Sequence, residues 1–295
     1  MKIIITGSHG QLGNELSTIL KNGYSEIGTI DKQYKNCDVV AVDVDELDIT
    51  KSTDVFNFIN KEQPDIVINC AAMTNVDGCE TNLDVAMKVN AMGPANLAMA
   101  CKKVNAKLDH ISTDYVFPGN GNSPYCEWDI CSPNSIYGKS KLLGEQYVKE
   151  QINKYFIVRT AWLYGYVGKN FVKTMLELGK TKKQLKVVND QIGNPTNAND
   201  LAYHILKIAL TDNYGIYHCT GIGDASWFEF ASLIMKYAKL DCEVLPCSTD
   251  EFPSPTKRPA FSSLDNLMLR CTVGDEMRPW KEALNTYLTK LLKEN

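Results

Sequence analysis

The chain has 295 residues, 44% of them hydrophobic, and a net charge of −4, which is enough apolar material for a full core in one large domain or a domain with a lobe. No basic run points to nucleic acid, and no stretch approaches the ~20 apolar residues of a membrane span. The ten cysteines include no C-x-x-C pair and the apolar run Ile3–Ile5 is too short for a signal-peptide core, so the chain reads as a cytoplasmic protein with reduced thiols.

Short runs rich in Ile and Val then alternate with helical patterns. Strands are expected at 2–6 (KIIIT), 26–31 (EIGTID), 65–72, 107–113 and 155–161, with helices at 11–22, 51–62, 83–105 and 134–151. Continuous apolar strands alternating with helices imply a parallel sheet covered on both faces. Beyond residue 165 the pattern loosens. LKVVNDQ, GIYHCTG and CEVLPC read as short strands between helices near 170–180, 198–210 and 226–238, and 250–261 is a proline-rich loop. The expected fold is α/β: a Rossmann-type doubly wound parallel sheet over 1–165, and a smaller substrate-binding lobe over 166–295 with some segments returning to the first domain.

The first strand runs into TGSHGQLGNEL, which spaces Gly7, Gly10 and Gly13 as G-x-x-G-x-x-G. Glycines permit a tight turn and close backbone approach, and the helix that follows offers free N–H groups and a positive dipole end to a diphosphate. The backbone of Gly10, Gln11 and Leu12 would supply those contacts, with little demand on the side chains. Asp31, taken as the end of the second strand, would accept from an adenosine ribose and favour NAD. The adjacent Lys32 would suit a 2′-phosphate, so NADH against NADPH stays open. Asp48 or Thr50 is an N-cap for the next helix, or else Asp48 and Ile49 lie beside an adenine.

Thr113 ends the strand KLDHIST, where ligands of open α/β sheets collect. In SIYGKSKLLGE, with Ser132 as N-cap and Pro133 in the first turn, Tyr137 and Lys141 fall one helical turn apart. A phenol with a pKa of about 10 exchanges protons slowly near neutrality. A neighbouring ammonium lowers that value, and the same lysine can hold a nicotinamide ribose.

Together TGSHGQLG, NCAA (69–72), VNAMGPANL (89–97), STDYVF (112–117) and YGKSK (137–141) resemble the extended short-chain dehydrogenase/reductases. More narrowly, STDYVFPGNG, YGKSKLLGE, VRTAWLYG (158–165), NFVKTMLELGK (170–180) and NDQIGNPT (189–196) are similar, in order, to the dTDP-4-dehydrorhamnose reductase family, from Lys2 to about Trp280. The resemblance implies NADPH- or NADH-dependent reduction of the 4-keto group of a dTDP-sugar. It implies Tyr137 as proton donor, Lys141 as its partner and Thr113 on the carbonyl oxygen. Ala71, Ala72 and Met73 would line the cofactor, and Asn90 would brace backbone. Asp114, Tyr115 and Trp162 match sugar positions, while Asn170 and Arg258 are candidates for the diphosphate. Nucleotide-sugar dehydratases of this fold carry Thr-Asp-Glu where this chain has Thr113-Asp114-Tyr115, so dehydration lacks its base; another nucleotide-sugar reductase, an epimerase or a non-catalytic regulatory subunit are the alternatives. Some family members pair as homodimers through Mg²⁺ held by glutamates. Glu15 matches one such position, but Asn199 and Asp200 stand where another is expected, and the C-terminal KLLKEN offers no clear counterpart. Glu15 then reads as a first-turn acid favoured by the helix dipole.

Overall fold

The computed structural model describes residues 1–252 and 254–293. Its centre is a six-stranded parallel sheet: β1 Lys2–Thr6, β2 Asp38–Val42, β3 Ile66–Asn69, β4 Lys107–Thr113, β5 Tyr155–Thr160 and β6 Gly215–His218, ordered β6-β5-β4-β3-β1-β2. Successive side chains of a strand point to opposite faces, and here both faces are dry. Ile3 and Ile5 join Ile68, Phe156 and Val158 beneath helices Gln11–Asn22 and Ala198–Ala209. Ile4 joins Val67, Leu108 and Ile157 beneath helices Ser52–Glu62, Gly93–Val104 and Ile136–Gln151. Each such side chain, fully buried, contributes about 1.5–3 kcal/mol of apolar transfer. This double coverage is why the inner strands are apolar without alternation.

The expected strand at 26–31 is absent. After Gly23 the chain makes an isolated Tyr24–Thr29 bridge and a 3₁₀ turn at Lys32–Tyr34, whose Tyr34 hydroxyl donates to the Leu206 carbonyl (2.6 Å). The second strand is DVVAV instead. It lies at the sheet edge and is only partly buried, so its apolar signal is weak. Helical structure runs through Leu83–Met87, a π-turn at Lys88–Met92 and Gly93–Val104.

GIYH (215–218) completes the large sheet as β6, so the chain returns to it after residue 165. A second core forms around Tyr164, Val172, Phe230, Ile234, Leu284 and Tyr287, covered by helices Phe171–Thr181, Trp227–Ala238 and Trp280–Leu291. A two-stranded parallel sheet of Gln184–Val188 and Glu243–Cys247 flanks it. The two cores are joined by Arg278, which pairs with Asp200 and with Glu26 (2.9 Å). No helix among the described residues is long and apolar enough to cross a membrane, and all ten cysteines are free.

Glu15 is not a first-turn acid. It sits in the second turn of Gln11–Asn22, buried, with Asn199 Nδ2 donating to Oε2 (2.9 Å). Burial pushes its carboxyl up, and the Asn199 bond opposes that. Asp200 is occupied by Arg278, and among the described residues no group of His, Cys, Asp and Glu gathers to hold a metal. Glu294 of KLLKEN lies outside the described residues.

Candidate active site

A cavity of about 820 Å³ opens outside the carboxyl ends of β1 to β5. Its first wall is the glycine loop. Gly7 has φ +65°, and a Cβ there would lie 2.7 Å from the Ala71 nitrogen; a Cβ on Gly13 would meet the Gly7 carbonyl at 2.4 Å. Only glycine lets the loop and helix pack this closely. The N-cap, Gly10, has no side-chain acceptor and the first turn carries no acid, so the opening N–H groups are left for an anion. Gly7, Gly10, Gln11, Leu12 and Gly13 all line the cavity, and this cradle fits a dinucleotide diphosphate. The Gln11 side chain matters more than expected: its Oε1 accepts from the Gly165 N–H (2.8 Å) and from Asn170 Nδ2 (3.0 Å), tying the loop to the second core. Asn170 is also the cap of helix Phe171–Thr181, its Oδ1 accepting from the Lys173 N–H.

Asp31 and Lys32 do not line the cavity; Asp31 caps the 3₁₀ turn through the Gln33 N–H (2.8 Å). The acid at the end of the true second strand is Asp43. Its Oδ2 accepts from the His9 N–H (2.9 Å) and its Oδ1 from the Val44 N–H (2.8 Å), and all three residues are on the wall. Of the two acids, Asp43 and not Asp31 borders the cavity. Asp48 and Ile49 do line the cavity. Asp48 accepts from the Thr50 N–H (3.0 Å) and hydroxyl (2.7 Å), and the Thr50 hydroxyl foremost holds its carboxyl low. Neither Asp48 nor Thr50 caps the next helix, which starts after Lys51 without a side-chain cap. Ala71 and Ala72 are on the wall, but Met73 is not. Its backbone is held on both sides by Asn90, Oδ1 accepting its N–H (2.8 Å) and Nδ2 donating to its carbonyl (3.1 Å).

The helix Ile136–Gln151 is capped by Ser135, whose hydroxyl accepts from the Gly138 N–H (3.1 Å), rather than by Ser132. It brings Tyr137 and Lys141 to the cavity beside Thr113. The Lys141 ammonium donates to the Ile111 carbonyl (2.6 Å). Burial lowers Lys141 to about 8, with Glu145 and Cys70 opposing. Burial likewise pushes Tyr137 well above its ordinary value, with the Thr113 side chain opposing. Desolvation, not the ammonium, therefore dominates the phenol, which keeps its proton at neutral pH.

The far half holds Asp114, Tyr115, Trp162 and Arg258. Asp114 accepts from the Thr113 hydroxyl (3.0 Å), and burial raises it to about 6 against the Ser262 and Thr113 side chains. The Tyr115 ring meets Tyr137 edge-on, centroids 5.5 Å apart, and Arg258 Nη1 donates to the Tyr115 hydroxyl (3.4 Å). Trp162 has φ +47°, rare for so large a residue. It stacks on Trp227 with centroids 3.5 Å apart. Trp227, which also lines the cavity, carried no motif that would single it out in the sequence.

The family model described as RmlD substrate binding domain matches residues 1–293. The chain is 50% identical to a dTDP-4-dehydrorhamnose reductase of Clostridium acetobutylicum ATCC 824 (TM-score 0.94; 99% of this chain and 100% of that one). It is 44% identical to a dTDP-4-dehydrorhamnose reductase of Bacillus anthracis str. Ames in complex with NADP (TM-score 0.91; 98% and 99%). It is 42% identical over 287 residues to the spore coat polysaccharide biosynthesis protein SpsK of Bacillus subtilis (strain 168), covering 97% of this chain and 96% of the relative. Matched over almost its whole length, the chain belongs to the RmlD substrate-binding-domain family.

Proposed function

We propose that this protein is an NAD(P)H-dependent oxidoreductase that reduces the 4-keto group of dTDP-4-dehydro-L-rhamnose to give dTDP-L-rhamnose, a step of nucleotide-sugar biosynthesis. The observation that carries the reading is the meeting of Tyr137, Lys141 and Thr113 in the cavity that the glycine loop opens into. NADPH or NADH, when bound, supplies the hydride. On this reading the N–H groups of Gly10, Gln11 and Leu12 hold its diphosphate, Asp43 its adenosine ribose, Asp48 and Ile49 its adenine, and Lys141 its second ribose; Ala71 and Ala72 give the apolar wall.

The chain's own work is orientation and proton transfer. Reduction at C4 leaves charge on O4, which Thr113 and Tyr137 are placed to hydrogen-bond. Tyr137 then gives O4 its phenolic proton. Burial keeps that proton in place at neutral pH, yet an alkoxide is a far stronger base than a phenolate, so the transfer runs downhill. Asp114, Tyr115 and Trp162 are assigned to the sugar, and Asn170 and Arg258 to the diphosphate side. Tyr115 stands where a dehydratase needs a carboxylate base, which favours reduction over elimination.

The test mixes purified protein with dTDP-4-dehydro-L-rhamnose and each reduced cofactor and follows nicotinamide absorbance. Wild type should oxidise at least one cofactor and form dTDP-L-rhamnose. Tyr137→Phe should lose about 10²–10⁴-fold in kcat with cofactor affinity, read by fluorescence titration, unchanged. Undiminished turnover in Tyr137→Phe would remove the proposed acid; no oxidation of either cofactor by wild type would remove the substrate.

A further inference from the structure

The segment that brings Arg258 to the cavity wall is held by one carboxylate that is not itself on the wall. Asp77 lies in the first turn of the short helix Val76–Thr81, next to the wall residue Val76. Its Oδ2 accepts from Arg258 Nη2 (3.1 Å) and its Oδ1 from the Ser254 hydroxyl (3.3 Å). The Thr256 hydroxyl, buried and without a partner in hydrogen-bonding geometry, is still near enough to act on the same carboxylate. Burial alone would raise Asp77; Thr256, Arg258 and Ser254 together outweigh it and hold the carboxyl low. The other guanidinium nitrogen, Nη1, reaches the Tyr115 hydroxyl, whose ring packs against Tyr137. The same helix also braces the catalytic one, because Glu80 Oε1 accepts from the N–H of Ile136, the residue before Tyr137 (2.8 Å).

We infer that Asp77 is a positioning residue: it gathers residues 254–258 onto the helix Val76–Thr81 and so aims the Arg258 guanidinium at an anionic nucleotide-sugar in the far half of the cavity. The inference rests on the substrate reading above. An arginine with no partner must be ordered by its ligand, at a cost in side-chain freedom; Asp77 imposes that order beforehand. The Asp77 and Arg258 side chains are 40% and 30% exposed, and pairs so exposed add little to folding stability. Removing Asp77 should therefore leave the fold intact and show its effect in substrate binding.

The experiment is a double-mutant cycle of Asp77→Ala, Arg258→Ala and the pair, with KM and kcat measured for the dTDP-4-keto-sugar and Kd for dTDP-L-rhamnose measured by calorimetry. Asp77→Ala should raise KM and Kd about 3- to 10-fold, leave kcat within about twofold, and leave cofactor affinity unchanged. In the Arg258→Ala background it should do nothing more, because its effect passes through the guanidinium. Additive losses across the cycle, an unchanged KM in Asp77→Ala, or a loss confined to kcat would overturn the inference. Wild type that neither binds dTDP-L-rhamnose nor turns over would instead overturn the substrate reading, and this inference with it.

Discussion

Burial drives two neighbouring groups in opposite directions: the Tyr137 phenol rises and the Lys141 ammonium falls to about 8. As pH climbs, the lysine loses its charge well before the phenol ionises. If the ammonium is needed, the alkaline limb of kcat/KM belongs to Lys141. We expect that limb to have its midpoint near 8 and to fall about tenfold per pH unit beyond it. Lys141→Arg, which keeps its charge, should have lower activity but no limb below about pH 10. A wild-type profile flat to that pH would contradict this assignment. At this scale the sequence revealed much: Tyr137, Lys141 and Thr113 could be named from spacing and strand position because helix periodicity and strand ends are local rules. Asp43, Trp227 and Asp77 could not, since an acid, a tryptophan and an aspartate become informative only when remote segments meet around them.

The helix Ile136–Gln151 repeats its motif once more: Tyr137, Lys141 and then Glu145 follow at four-residue intervals. Glu145 is fully buried. Its Oε1 accepts from the Ser112 hydroxyl (2.5 Å) and Arg159 Nε (3.0 Å), and its Oε2 from Arg159 Nη2 (2.7 Å). Ser112 adjoins Thr113 and Arg159 adjoins Thr160, both on the cavity wall, so this ion pair fixes the helix against the ends of β4 and β5. Removing one partner strands a buried charge, and Glu145→Gln should cost about 3–5 kcal/mol in urea unfolding. Replacing both, as Glu145→Leu with Arg159→Met, should recover most of that loss; a single variant as stable as wild type would show that the pair is idle. Element boundaries followed the same logic of burial. Strongly buried or strongly amphipathic segments, such as β4 at 107–113 and the helix at 11–22, were legible almost to the residue. The half-exposed edge strand β2 was not, and the helix Ile136–Gln151 begins at Ser135 rather than at the expected cap Ser132.

Across the whole molecule, the sheet is completed by a late segment, β6, that is only four residues long, and its pairing with β5 is a long-range fact with no local mark. The sheet also encloses an anomaly. Asp109, at the middle of β4, faces the same core as its register partners Ile68 and Phe156. It is fully buried, and neither carboxylate oxygen has a hydrogen-bond partner among the described residues. Burial raises it well above the ordinary carboxyl value, with Lys107 opposing. The folded protein therefore holds a proton on Asp109 that the unfolded chain releases near pH ~4. For a raised carboxyl the contribution to stability is fully present below that pH and is lost as pH rises towards the folded value. Asp109→Asn, which cannot ionise, should remove this dependence. Its unfolding free energy should gain on wild type as pH rises from about 4 towards neutrality in parallel urea titrations. A constant difference between the two proteins over that range would mean that Asp109 is already charged in the folded core, with a partner not accounted for by the packing around β4.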